Sequence, residues 1–132
     1  MIKGIHHTAL NVKDFDKSLA FYTETLGLKQ TMSWGKESGK RAAMIATGRG
    51  SHIEIFEHSD FKPAPQGDFT GILHLAFDVD NCDSILEKAR DWGAEIILEP
   101  RSLTIESGEG VPVRIAFCKG PDGEILEFFQ AD

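Results

Sequence analysis

The chain has 132 residues, 41% of them apolar, and a formal net charge of −7. That is the size of one compact domain, with enough apolar mass for a core without disulfides. It has no Lys/Arg-rich run, which argues against nucleic acid or an anionic membrane as partner. No apolar run approaches the ~20 residues that a membrane span requires.

The opening Met-Ile-Lys-Gly-Ile-His-His lacks the apolar segment of a signal peptide. Cys82 and Cys118 have no CxxC spacing. These features predict a cytoplasmic protein with two buried free thiols.

Residues 4–12 alternate weakly, as a half-buried strand does. Asp14 and Asp16 offer caps for a helix whose apolar face is Phe15, Leu19, Tyr22 and Leu26, with Gly27 as its stop. Strands are predicted at about 28–34, 41–47 and 51–57, and Gly35, Gly39, Gly48 and Gly50 mark the turns. Residues 58–71, with two prolines and two glycines, read as a linker.

The same order then returns. Residues 73–79 are strand-like, and Asp80, Asn81 and Asp83 can cap a helix carrying Ile85, Leu86, Ala89 and Trp92 up to Gly93. Residues 94–98 read as a strand and 101–110 as a polar loop. The last two strands, 113–118 and 124–130, are joined by the turn Gly120-Pro121-Asp122-Gly123. Placing His7 on His74 aligns Val12 with Val79, Asp16 with Asp83 and Leu19 with Leu86 without a gap. The predicted fold class is α+β: two tandem βαβββ modules, about 1–58 and about 72–132, in a single domain.

One set of side chains repeats with the modules. His7 opens the first strand, and Glu54 follows 47 residues later; His74 opens the equivalent strand, and Glu127 follows 53 residues later. Strand alternation puts His7, Ala9 and Asn11 on one face and Thr8, Leu10 and Val12 on the other. His74, Ala76 and Asp78 repeat this, while Glu54 opposes Ile53 and Ile55, and Glu127 opposes Leu126 and Phe128. The apolar sets can pack on a helix, leaving His and Glu on the inner face. A carboxylate on a partly dry face is costly unless it is paired or metal-bound. Two imidazoles and two carboxylates suit one divalent ion: Zn, Ni, Co, Mn or Fe.

A lone strand His or Glu is ordinarily a surface or satisfied core residue, and His6 and His52 are read that way. The duplicated positions set His7, Glu54, His74 and Glu127 apart. Trp34, Met44, Phe56 and Phe129 are core residues or an apolar wall beside the site. Arg101 and Lys119, near expected loop ends, are solvated charges or partners for an anionic substrate.

At these residues the chain resembles the vicinal oxygen chelate superfamily, which includes glyoxalase I, bleomycin-resistance proteins and extradiol dioxygenases. The resemblance lies in His7-Thr-Ala-Leu-Asn-Val, in Ser18-Leu-Ala-Phe-Tyr-Thr-Glu-Thr-Leu-Gly-Leu, in Ile53-Glu-Ile-Phe, in His74-Leu-Ala-Phe-Asp-Val and in Gly120-Pro-Asp-Gly-Glu-Ile-Leu-Glu-Phe. It implies an open, cup-shaped mixed sheet with helices outside, one divalent metal inside, and a homodimer. By motif match, His7, Glu54, His74 and Glu127 fall on the ligand positions of glyoxalase I. The implied activity is a lyase or isomerase that moves a proton next to a carbonyl, with Glu127 or Glu54 as base. Its substrate is a small molecule with adjacent oxygens. By their own positions, Asn11, Phe56, His58 and Arg101 are candidate substrate contacts, with a core role the alternative for Phe56 and a solvated one for His58 and Arg101. Glutathione-dependent relatives often carry Arg and Asn where this chain has Asn11 and His58, so the metal chemistry is better matched than the thiol. The resemblance also admits a thioester epimerase of the methylmalonyl-CoA type, a ring-cleaving dioxygenase, a thiol transferase or a drug-sequestering dimer.

Overall fold

A computed structural model describes residues 1–58, 60 and 62–131. The chain forms two compact units, Met1–Lys62 and Pro63–Asp132, each with the element order βαβββ. Ser59 and Phe61 of the predicted linker lie outside the described residues, and the other linker residues form neither helix nor strand. Among the described residues, no helix is long and apolar enough to cross a membrane.

The N-terminal unit contains β1 (His7–Val12), α1 (Phe15–Ala20), β2 (Lys29–Trp34), β3 (Ala42–Gly48) and β4 (Ser51–Glu57), with sheet order β1-β4-β3-β2. β1 and β4 run parallel, and the other pairs are antiparallel. Asp14 caps α1 by accepting the Lys17 N–H at 3.1 Å. The predicted uniform helix to Leu26 is in fact two pieces. After Ala20 the chain widens into a π-turn over Phe21–Thr25, closed by Leu26 N–H to the Phe21 carbonyl at 3.0 Å. The wider turn brings the consecutive Phe21 and Tyr22 into the core, both fully buried. Leu19 and Leu26, read as the apolar face at 3.6 residues per turn, are only half-buried.

The C-terminal unit contains β5 (Leu75–Asp78), α2 (Cys82–Trp92), β6 (Ile96–Ile105), β7 (Val111–Lys119) and β8 (Ile125–Ala131), with sheet order β5-β8-β7-β6. Asn81 caps α2, accepting the Ser84 N–H at 2.9 Å. Gly93 ends the helix at φ 109°, a left-handed conformation that costs a residue with a Cβ. α2 buries Cys82, Leu86 and Ala89 against the sheet. Burying Leu86 alone contributes about 1.5–3 kcal/mol.

The first half of the predicted loop over 101–110 is strand: β6 runs to Ile105, and 106–110 turn. Its polar composition is that of an exposed edge strand. Pro100 lies where the register shifts between Leu98 and Arg101, a bulge at which no ladder N–H is required. The closing turn begins at Gly120. A Cβ there would collide with the Glu124 carboxylate, which accepts the Asp122 N–H at 2.9 Å.

The two units match in detail. Both first antiparallel pairs shift register at corresponding points, Gln30/Met32 and Ile96/Leu98. Arg41 binds Asp16 at 3.0 Å and Glu57 at 2.8 Å, and Arg114 binds Asp83 at 2.6 Å and Ser102 at 3.0 Å. Each arginine thereby ties the first turn of a helix to its sheet. The Arg114 guanidinium holds the Asp83 carboxyl below its ordinary range.

Candidate metal centre

The pairing register places each His beside its Glu. In the N-terminal unit, Ala9 on β1 is opposite Glu54 on β4, and His7 precedes Ala9 by two residues on the same face. His7 Nε2 is 3.4 Å from Glu54 Oε1. In the C-terminal unit, Ala76 on β5 is opposite Glu127 on β8, and His74 again precedes it by two. His74 Nε2 is 3.0 Å from Glu127 Oε1. His74 itself lies one residue before β5, so the predicted strand over 73–79 is shorter than expected. On the antiparallel side Glu54 meets Met44, and Glu127 meets Phe117. The Phe117 ring stands edge-on to His74 at 5.3 Å.

Burial separates the two donor types. The Glu54 and Glu127 side chains are 14% and 11% exposed, against 40% and 35% for His7 and His74. Each carboxylate is largely removed from water, with an imidazole as its close partner, an arrangement that needs a positive charge to offset it. The spacing suits a shared ion, since N and O donors each about 2.1 Å from one zinc stand roughly 3.0–3.4 Å apart. Among the described residues, no three His, Cys, Asp or Glu side chains form a group that could hold an ion. The donors present are two pairs, one within each unit.

The profile of the Glyoxalase/Bleomycin resistance protein/Dioxygenase superfamily matches residues 4–128. The chain belongs to this superfamily. Among its relatives, a probable lactoylglutathione lyase from Synechocystis sp. is 32% identical over 126 residues, covering 94% of this chain and 92% of that one. A lactoylglutathione lyase from Haemophilus influenzae is 30% identical, covering 96% of this chain and 91% of its own. A glyoxalase/dioxygenase crystal structure from Nostoc punctiforme aligns with a TM-score of 0.80 at 27% identity, covering 98% of this chain and 92% of that one.

Within this superfamily chain, the residues predicted to touch substrate are distributed between the units. Asn11 is exposed and opposite Phe56 in register. Phe56 is half-buried and meets the Trp34 ring edge-on at 6.4 Å. Asn11, Phe56 and Trp34 share the face of Glu54. His58 is exposed just past β4, its N–H bonded to the Val12 carbonyl at 2.9 Å. Arg101, expected at a loop end, is instead in β6 opposite Ile115, on the face that carries Glu127. A cleft of about 330 Å³ in the C-terminal unit is lined by Ser102, Thr104, Arg114 and Gln130. These lie on the other face, where Arg114 is already bound to Asp83.

Two residues read as ordinary surface histidines adjoin the N-terminal pair. His6 Nδ1 is 2.9 Å from His7 Nδ1, and the His52 ring stacks on His6 at 5.3 Å and 27°. The sequence shows that His6 adjoins His7; that His52 pairs with His7 needed the parallel β1–β4 register.

Both cysteines are free and buried. Burial pushes the Cys118 thiol up to about 11 and raises that of Cys82 as well.

Proposed function

We propose that the chain is a divalent-metal-dependent lyase or isomerase of the glyoxalase I type. It moves a proton next to a carbonyl on a small substrate with adjacent oxygens. The observation that carries this reading is the repetition of one His–Glu pair at one register position in both units. His7, Glu54, His74 and Glu127 are the ligands in this reading. Relatives at 30–32% identity named lactoylglutathione lyase support the reaction class.

Mixed imidazole and carboxylate donors accept Zn, Ni, Co, Mn or Fe. When bound, the ion supplies Lewis-acid stabilisation of charge developing on the substrate oxygens. The chain's own carboxylates move the proton. Glu127 or Glu54 takes it from one carbon and returns it to the neighbouring one. Their low exposure strengthens each charge interaction at the site. Phe56 and Trp34 offer an apolar wall, Asn11 an amide, His58 an imidazole and Arg101 a positive charge. Asn11 and His58 stand where related enzymes carry groups that hold glutathione, so the substrate is assigned only as a small molecule with adjacent oxygens. The working form is a cytoplasmic homodimer.

The test is metal content by elemental mass spectrometry on untagged protein, beside the His7→Ala/Glu127→Ala double variant. The expected result is about one ion per two-pair site, as the ligand count requires, lost in the variant. Nickel, cobalt or zinc with hemithioacetal isomerisation supports the reading. Iron with oxygen uptake replaces it with a ring-cleaving dioxygenase. Wild type that takes up no metal on reconstitution overturns it and leaves a drug-sequestering dimer.

A further inference from the structure

Edge strand β6 carries an irregularity that its counterpart β2 lacks. From Leu98 to Arg101 it advances three residues, while β7 advances two, from Phe117 to Ile115. In the N-terminal unit the corresponding step, Met32 to Trp34 against Met44 to Ala42, is two against two. Regular alternation from Leu98 would set Pro100 opposite Ile115 and turn Arg101 to the helix side. The extra residue re-aims it, as bulges beside sites do. Arg101 therefore stands in the place of Trp34, on the face of Glu127.

Its charge is uncompensated there. Arg41 is bonded to Asp16 and Glu57, Arg90 to Glu87 and Glu99, and Arg114 to Asp83 and Ser102. Arg101 is exposed and has no hydrogen bond or ion pair among the described residues. Its neighbours on that face are apolar, Leu103 along the strand and Ile115 across it. Ile115, Phe117 and Phe129, each half-buried, floor the way from Arg101 to Glu127. Asp78 ends the row that Arg101 begins, so the positive charge lies at one end only. With β7 between their strands and one row of offset, the Arg101 and Glu127 backbones are on the order of 12 Å apart. Two extended side chains reduce that gap to the span of a short carbon chain.

We infer that Arg101 is a specificity residue, which binds a carboxylate carried by the substrate on a short carbon chain beyond its two adjacent oxygens. A planar guanidinium offers a carboxylate two parallel N–H donors. One cation among apolar neighbours matches the single charge of a carboxylate better than a phosphate dianion. The inference rests on the metal reading above and narrows its substrate class.

The experiment is calorimetric titration of the whole zinc-loaded chain with 2-oxo acids of five and six carbons. One set ends in a second carboxylate (2-oxoglutarate and 2-oxoadipate), the other in a methyl group (2-oxopentanoate and 2-oxohexanoate). All four present the same adjacent oxygens. Wild type is compared with Arg101→Ala and Arg101→Lys. In wild type, at one chain length at least, the second carboxylate is expected to tighten binding about 10-fold, the low end for a charge-assisted bond open to water. Arg101→Ala is expected to lose that advantage and keep its affinity for the methyl-ended acids. Arg101→Lys keeps part of it, as a point charge without the fork. Wild type that takes up no zinc overturns the metal reading and this inference with it. Zinc-loaded wild type that binds both sets equally, or neither, overturns the inference alone and leaves Arg101 as a charge guarding an edge strand. So does an advantage that survives in Arg101→Ala, or a loss in that variant shared by both sets.

Discussion

The two units share a fold, a sheet order, a bulge position, an arginine clamp and a His–Glu pair. They differ in what surrounds that pair. In the N-terminal unit Glu54 has Met44 beside it, Trp34 lies a row away, and His6 meets the His7 ring with His52 stacked on His6. In the C-terminal unit the corresponding places hold Phe117, Arg101, Leu73 and Ile125. What duplication kept is what the chemistry and the register require together. What it let drift is the set of residues around each pair.

The strongest way to break this comparison is to remove one carboxylate charge at a time. Glu127→Gln and Glu54→Gln are each expected to weaken metal binding, because a neutral amide is a poorer ligand than a carboxylate. The variant that removes the base should also lower kcat by roughly 10²–10⁴-fold. Steady-state kinetics with chelator titration separate the two roles. If the larger fall in kcat goes with the smaller fall in affinity, that glutamate is the base. Wild-type metal affinity in both variants would show that the repeated pairs are not ligands.

Much of this was legible in the sequence because it depends on local rules. Asp14 and Asn81 fall just before apolar periodicity, and both cap their helices. The β4 boundaries follow directly from alternation around Ile53 and Ile55, both fully buried. The misses share a cause, which is tertiary context overriding local composition. Ser102 to Ile105 look like a loop until an edge strand beside β7 gives their backbone partners. A 3.6-residue period carried past Ala20 missed the π-turn that begins at Phe21. The arginine clamps were invisible because Arg41 and Arg114 reach partners 25 and 31 residues away in sequence. The pairing of each His with its own Glu needed the register, which a list of motifs does not contain.

A second test asks whether the two helices carry equal weight. The sequence sets Leu19 on Leu86, but Leu86 is fully buried and Leu19 only partly. Leu86→Ala is expected to cost about 2–5 kcal/mol, the range for a buried leucine truncated in a packed core. Leu19→Ala should cost less, since part of its surface already meets water. Urea unfolding of the two variants measures the difference through the midpoint at constant slope. Equal losses would mean that the π-turn has not shifted burial away from Leu19.

The smallest expected effect is at Ser18 in the first helix. Ser18 is fully buried, and its Oγ has no hydrogen-bond partner among the described residues. Its backbone N–H already bonds the Asp14 carbonyl at 3.0 Å, one turn back. Thr23, by contrast, donates its hydroxyl to the Leu19 carbonyl at 2.7 Å. A buried hydroxyl without a partner keeps its desolvation cost and gains little in return. Ser18→Ala removes that cost, leaves almost the same volume and keeps the backbone bond. The expected change is neutral to about 1 kcal/mol stabilising. A loss of more than about 1 kcal/mol in urea unfolding would mean that the hydroxyl is bonded in solution, because a satisfied hydrogen bond is what contributes that much.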